Sequence, residues 1–234
     1  MKGRSWLAGY GIVAAVHLAA IAAGWDTVRF VTKPMLMVIL VVWFAVTSSG
    51  GTDMPTLKLR HTKRSWIISA LIFSWLGDVF LMIQGGSGFI AGLSSFLLAH
   101  ACYVIFFLLV RRRSGVPRKW NGYILAAVVI YIASFNYYLL PALDFALKVP
   151  VLAYSIIIGT MFIAVFHASP RNNNWHNLAI TGALLFIISD SILAVNTFLE
   201  PFGAADLLIM STYILAQAFL ASGAAIWLRT AHKS

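Results

Sequence analysis

The chain has 234 residues, of which 61% are hydrophobic and only 10% charged, and its mean hydropathy is +0.87. Soluble domains carry about 25% charged residues, so this composition excludes a water-soluble globular fold and defines an integral membrane protein. The formal net charge of +10 does not point to nucleic acid, because the basic residues lie between apolar segments rather than along one exposed face.

A helix crosses the hydrocarbon layer with about 20 apolar residues, and helices are required because unpaired backbone groups find no water in lipid. Eight stretches meet this condition: 5–24, 34–50, 66–84, 89–110, 120–140, 149–167, 177–198 and 206–228. The predicted fold is therefore all-α, polytopic, with eight transmembrane helices in one transmembrane domain spanning 1–234.

The first span follows Lys2 and Arg4. It is longer than the roughly 7–15 apolar residues of a secretory signal core and reads as a retained helix. Lys33 and Pro34 open the second span, which holds Trp43. The third carries Trp75 and Asp78, both tryptophans reading as core. Gly85-Gly86-Ser87-Gly88 then forms a tight loop that makes the third and fourth spans antiparallel neighbours. The fourth carries His100, Tyr103 and the single cysteine, Cys102, which excludes an internal disulfide. The sixth carries Tyr154, the seventh Asp190 and Asn196, and the eighth Tyr213 and Gln217. Pro34, Pro55, Pro117, Pro141, Pro150, Pro170 and Pro201 read as loop markers.

Lysine and arginine assign the orientation. The amino terminus, 51–65, 111–119, Arg171 and the carboxyl tail together hold 14 of the 17; Arg29, Lys33 and Lys148 are the others. Positive residues stay cytoplasmic, so both termini are expected in the cytoplasm. Trp6, Trp66, Trp120, Trp175 and Trp227 fall at the same predicted ends, where an amphipathic ring prefers the interface. The run Arg111-Arg112-Arg113 reads as a topology signal with affinity for anionic lipids.

The two halves, approximately 1–115 and 116–234, echo each other. Gly9-Tyr10 matches Gly122-Tyr123, Lys33-Pro34 matches Lys148-Val149-Pro150, and Leu98-Ala99-His100-Ala101 matches Leu215-Ala216-Gln217-Ala218. Gly77-Asp78-Val79-Phe80-Leu81 matches Ser189-Asp190-Ser191-Ile192-Leu193. An offset of four helices keeps both copies in one direction, so the expectation is a parallel 4+4 repeat about an axis along the membrane normal.

Asp78 and Asp190 are the most informative residues. An ionisable group at bilayer depth costs roughly 2.5–3.5 kcal/mol even on insertion scales and marks function by default. Counted from Trp66 and Asn177, both lie roughly 18–20 Å from the cytoplasmic boundary, on opposite walls of one expected cavity. Two carboxyls close together in a low dielectric cannot both ionise cheaply. They divide into one protonated acid and one carboxylate, as in glycosidase pairs.

Other polar groups have competing readings. Lys33 is either an interfacial anchor that snorkels or a cation for a phosphate headgroup. His100 is either a proton relay or an orienting donor. Its counterpart Gln217 cannot titrate, which favours hydrogen bonding over metal binding. Tyr103, Tyr154, Tyr213 and Asn196 are candidate cavity-lining residues. Ser189 has no base placed to make it a nucleophile. No group of side chains has zinc-ligand spacing, and neither metal nor cofactor is expected. There is no Walker or Rossmann sequence.

An ordered set of segments resembles the YhhN family of membrane lysoplasmalogenases. The set runs from Thr32-Lys33-Pro34 through Ala70-Leu71-Ile72-Phe73 to the Asp78 segment. It continues with Gly92-Leu93, Phe96-Leu97-Leu98-Ala99-His100 and Tyr103. The second half supplies Pro150-Val151-Leu152-Ala153-Tyr154, Met161, Gly182-Ala183-Leu184-Leu185-Phe186, the Asp190 segment, Tyr213 and Gln217. The resemblance implies hydrolysis of the vinyl-ether bond of lysoplasmalogens, yielding a fatty aldehyde and glycerophosphoethanolamine or glycerophosphocholine. It implies Asp78 and Asp190 as the catalytic pair and a lysophospholipid with one alkenyl chain as partner, among membrane lipids and without nucleic acid. Lys33, His100, Tyr103, Tyr154, Asn196, Tyr213 and Gln217 are the expected substrate-binding residues. The alternative is a proton-coupled lipid or metabolite transporter, since parallel repeats and midplane carboxylates also suit alternating access. The short termini suggest a bacterial inner membrane.

Overall fold

The computed structural model describes residues 2–48, 54–83, 85–113, 119–169 and 173–230. The side chains of Lys2, Arg4, Lys58 and Arg60, and residues Pro117, Arg118, Pro170, Arg171 and Lys233, lie outside the described part. Eight helices follow in order: α1 (Lys2–Ala23), α2 (Asp26–Thr47), α3 (Met54–Leu81), α4 (Gly86–Arg113), α5 (Gly122–Leu139), α6 (Phe145–Phe166), α7 (Asn174–Phe198) and α8 (Ala205–Thr230). A single 3-10 turn, Leu140–Ala142, joins α5 to α6. Among the described residues there is no strand, and all eight helices are long and apolar enough to cross a membrane.

Several helices begin before their apolar cores. Asn173 accepts a hydrogen bond from the His176 backbone N–H at 3.1 Å and starts α7 ahead of the apolar run; Asn121 caps α5 the same way through Tyr123. Such caps satisfy otherwise orphaned donors. At the other end of α1, Gly24 adopts φ +70°, a conformation that favours glycine, and the chain turns directly into α2.

Two proline expectations are corrected. Pro34 and Pro150 do not mark loops; they lie inside α2 and α6. A proline there removes one backbone donor, a local loss that neighbouring helices offset in a packed membrane bundle. The consequence matters: α2 starts at Asp26, so Lys33 stands in its interior instead of opening it. Likewise most of 51–65 is the start of α3, and α4 begins at Gly86, so Gly86, Ser87 and Gly88 of the predicted glycine loop belong to the helix.

The α3/α4 and α7/α8 hairpins form the most extensive helix pairings, and α4 packs on α6 to join the halves. Glycine permits the close approaches. A Cβ on Gly182 would stand 2.8 Å from the backbone nitrogen of Leu220. The main core gathers large side chains from α2, α3, α4, α7 and α8, including Phe44, Phe106, Phe107 and Phe186. Trp43 belongs to it and Trp75 packs against it, as the sequence suggests. Cys102 is buried. Helix α5 is the loosest member, meeting α6 and, sparsely, α7; Ile130 and Tyr138 on it are largely exposed.

At the end shared by the α4 and α6 C-termini, basic residues meet aromatic rings. The Arg111 guanidinium sits 4.1 Å from the Trp120 ring centre, and Lys63 Nζ 4.8 Å from that of Trp227. Such contacts contribute about 0.5–2 kcal/mol each. His167 locks the same end, its Nε2 accepting from the Asn121 N–H at 2.8 Å.

Candidate active site

Asp78 lies three residues before the last residue of α3, and Asp190 eight before the last residue of α7. Both therefore sit nearer the end of the bundle where α2, α4, α6 and α8 begin. Both carboxyls line one cavity of about 120 Å³. A single water needs roughly 10–15 Å³ on this measure, so there is room for substrate atoms and for water. The walls are chiefly apolar, with Phe89, Leu93, Phe135, Leu139 and Phe198 among them. The polar end is made by Lys33, Asp78, Tyr154, Asp190 and Tyr213. Ligand sites combine apolar walls with few placed polar groups in this way.

The two acids have different partners. Asp78 is 2% exposed. Its Oδ2 accepts a hydrogen bond from the Tyr213 hydroxyl at 2.7 Å, and its Oδ1 lies 3.8 Å from Lys33 Nζ. Thus α8 and α2 both reach across to α3. Asp190 is half-buried, and its Oδ2 accepts from the Tyr154 hydroxyl of α6. Among the described residues no lysine or arginine forms an ion pair with it.

Behind Tyr213 runs a relay of neutral groups. Tyr103 donates to Gln217 Oε1 at 2.9 Å, and Gln217 Nε2 donates to the Tyr213 hydroxyl at 3.4 Å. Tyr103 and Gln217 do not line the cavity. They polarise and orient Tyr213 from behind, as connected hydrogen bonds do. His100 does not line it either. Its Nδ1 donates to the Phe96 carbonyl at 2.6 Å, and its ring meets those of Tyr154 and Phe186 edge-on, 5.4 and 4.6 Å between centres. A ring held in this way backs Tyr154 and does not reach either carboxyl.

Asn196 is placed elsewhere. Its Oδ1 accepts from the Phe202 N–H at 3.1 Å and closes the α7–α8 turn. It lies more than a helical turn beyond Asp190, and an amide near a helix end is drawn to the unpaired backbone donors of the turn. Ser189 donates to the Ile209 carbonyl at 3.0 Å. Lys148, matched to Lys33 in the sequence, does not line the cavity.

Four polar residues of the cavity wall escape the sequence reading. Tyr131 of α5 is hydrogen-bonded to Ser191, next to Asp190, and both line the cavity. A tyrosine on an otherwise lipid-facing helix carries no signal of such a role. Asn136 and Ser155 add a weaker polar contact on the α5–α6 wall.

Fold and cavity define the class: a bundle of eight helices, each long and apolar enough to cross a membrane, with two aspartates in the wall of one largely apolar cavity. The chain belongs to the YhhN family, whose sequence profile matches residues 28–224. It is 28% identical over 224 residues to mouse (Mus musculus) "Lysoplasmalogenase TMEM86B", covering 93% of this chain and 85% of that one. It is 34% identical over 173 residues to human (Homo sapiens) "Lysoplasmalogenase TMEM86A", covering 71% and 68%. A Mycobacterium bovis protein named "Lysoplasmalogenase" is 28% identical over 165 residues, covering 69% and 60%. No solved structure matches.

Proposed function

We propose that this chain is a membrane lysoplasmalogenase that hydrolyses the vinyl-ether bond of a 1-alkenyl lysophospholipid. The observation that carries the reading is the placement of two carboxyls, from different helical hairpins, in the wall of one largely apolar cavity. Family membership and the names of the relatives support it.

The chemistry suits the residues. A vinyl ether is opened by acid: a proton goes to the β-carbon and leaves an oxocarbenium ion. Water adds to the oxygen-bearing carbon, and the hemiacetal collapses to an aldehyde and the glycerol hydroxyl. The step requires an acid, a carboxylate that stabilises the cation and accepts a proton from water, and no serine nucleophile. Positioned acid–base groups contribute about 10²–10⁴-fold, and preorganised charge facing the cation adds more. The products are a fatty aldehyde and glycerophosphoethanolamine or glycerophosphocholine. In this reading the alkenyl chain lies along Leu93, Phe135 and Leu139. Tyr154 and Tyr213 hold the acids.

The same reading treats the chain as a single transmembrane domain of two parallel half-repeats, about 1–115 and 116–234, with both termini cytoplasmic, in a bacterial inner membrane. Support comes from the basic-residue asymmetry and from the two matched hairpins, each carrying one aspartate.

The test is aldehyde release by purified protein from alkenyl, alkyl and acyl lysolipids side by side. Cleavage confined to the alkenyl compound is expected, with loss of at least 100-fold in Asp78→Asn and in Asp190→Asn. Movement of lipid into liposomes without chemical change is instead the outcome of a transporter and would overturn the reading.

A further inference from the structure

The two aspartates occupy matched sequence positions but unmatched surroundings. Asp78 faces a cation, Lys33 of α2, and a hydroxyl donor, Tyr213 of α8. Among the described residues Asp190 faces a hydroxyl donor, Tyr154 of α6, and no ion-paired cation. The repeat supplies no second lysine, since Lys148 stays off the cavity wall. The asymmetry follows from the register of α2, whose first turns carry Lys33 into the helix interior beside α3.

We propose that Lys33 is a positioning residue that divides the acid pair, holding Asp78 as the carboxylate and leaving Asp190 as the proton donor. This assignment rests on the hydrolase reading and deepens it. A buried carboxylate persists only when paired and hydrogen-bonded, and Asp78 has both an ammonium and a phenol. Among the described residues Asp190 has no cation paired with it, so the single proton of the pair resides there. The cycle then balances. Asp190 gives its proton to the β-carbon, and Asp78 faces the oxocarbenium ion. Water adds as Asp78 takes one of its protons. In the collapse Asp190 removes the hemiacetal hydroxyl proton while Asp78 returns its proton to the departing glycerol oxygen. The pair ends as it began.

Among the described residues, the groups that bear on this titration are few. Around Asp78 stand Lys33 from α2, Tyr213 from α8, Tyr10 from α1 and Asp190 from α7; α4 presents the apolar Phe96 to the cavity. Around Asp190 stand Tyr154 from α6, Tyr131 from α5 and Asp78. Lys33 itself is within electrostatic range of His17 on α1 and shares α2 with Arg29.

The experiment is the pH dependence of alkenyl-lysolipid turnover by the full-length protein and by Lys33→Met and Lys33→Arg variants. A required carboxylate loses activity as pH falls, and a required acid loses it as pH rises. Lys33→Met is expected to move the acidic limb toward neutral pH by roughly one unit or more. Turnover at neutral pH should drop at least tenfold, the alkaline limb should stay in place, and Lys33→Arg should restore the profile. If Lys33→Met does not fold, Tyr213→Phe removes the other donor to Asp78 and should move the same limb. A shift of the alkaline limb upward, or a rise in turnover, reverses the assignment while leaving the hydrolase reading intact. Unmoved limbs reduce Lys33 to a packing role and also overturn the proposal. Absence of alkenyl-specific turnover by the unmodified protein ends both readings together.

Discussion

His100 separates two kinds of role that a lone histidine in a membrane helix can have. Its Nδ1 is committed to the Phe96 carbonyl, and its ring lies between Tyr154 and Phe186. It is fully buried and off the cavity wall. A relay needs a nitrogen in contact with the transferred proton or with water, and neither follows from this placement. His100→Gln is therefore expected to leave both limbs of the pH–rate profile in place, with turnover within about threefold of the unmodified protein. Its cost should appear in stability, because the smaller, non-aromatic side chain loses the edge-on contacts, worth about 0.5–1.5 kcal/mol each. The check is one pH series and one thermal melt in detergent. Lys33 shows the opposite case. Residue type favoured an interfacial anchor, yet its ammonium points back to Asp78, because seven residues of α2 precede it.

Helix pairing depends on backbone proximity, which glycine makes available. In lipid there is little hydrophobic drive between helices, and close packing with small residues takes its place. At Gly182 the neighbours of an added Cβ are the Leu220 nitrogen at 2.8 Å and the Ala216 carbonyl at 2.9 Å. Backbone atoms cannot step aside as a flexible side chain does. Gly182→Ala should therefore spread α7 from α8 and cost about 1–3 kcal/mol, read as a lower melting temperature in detergent. Gly9→Ala is the control: nothing lies within 4 Å of its Cβ position, and alanine's better helix propensity, worth up to about 1 kcal/mol, should leave stability unchanged or raised. Because Asp190 and Tyr213 sit on these two helices, Gly182→Ala should also lower turnover more than the melting shift alone explains.

Across the whole molecule, one cavity draws its walls from seven of the eight helices, α2 to α8. Its apolar arm runs past Leu93, Phe135, Leu139 and Ala194, and under the proposed function this arm measures the substrate chain. Ala194→Trp fills that arm with an indole. The expected result is a higher KM for long alkenyl chains and a smaller change for short ones, measured across a chain-length series with kcat recorded separately. Equal effects at all lengths would place the chain elsewhere.

Hydropathy, the eight spans and the two acids were legible in the chain itself, because burying an uncompensated backbone or an idle charge in lipid is costly enough to leave a strong mark. The YhhN membership was legible for a related reason: its motifs cluster on the helices that carry Asp78, His100, Asp190 and Tyr213. The partners of those residues were not. Pro34 and Pro150 suggested helix ends, but a packed bundle tolerates one missing backbone bond, and the added turns of α2 brought Lys33 to Asp78. Asn196 looked like a cavity amide and instead closes a turn. Tyr131 was not singled out in the sequence, and it meets Ser191. Composition and periodicity are properties of single segments, and they marked the eight segments apolar enough to cross a membrane. Which of two similar acids meets a cation depends on helix register across three segments far apart in the chain, and only tertiary packing decides that.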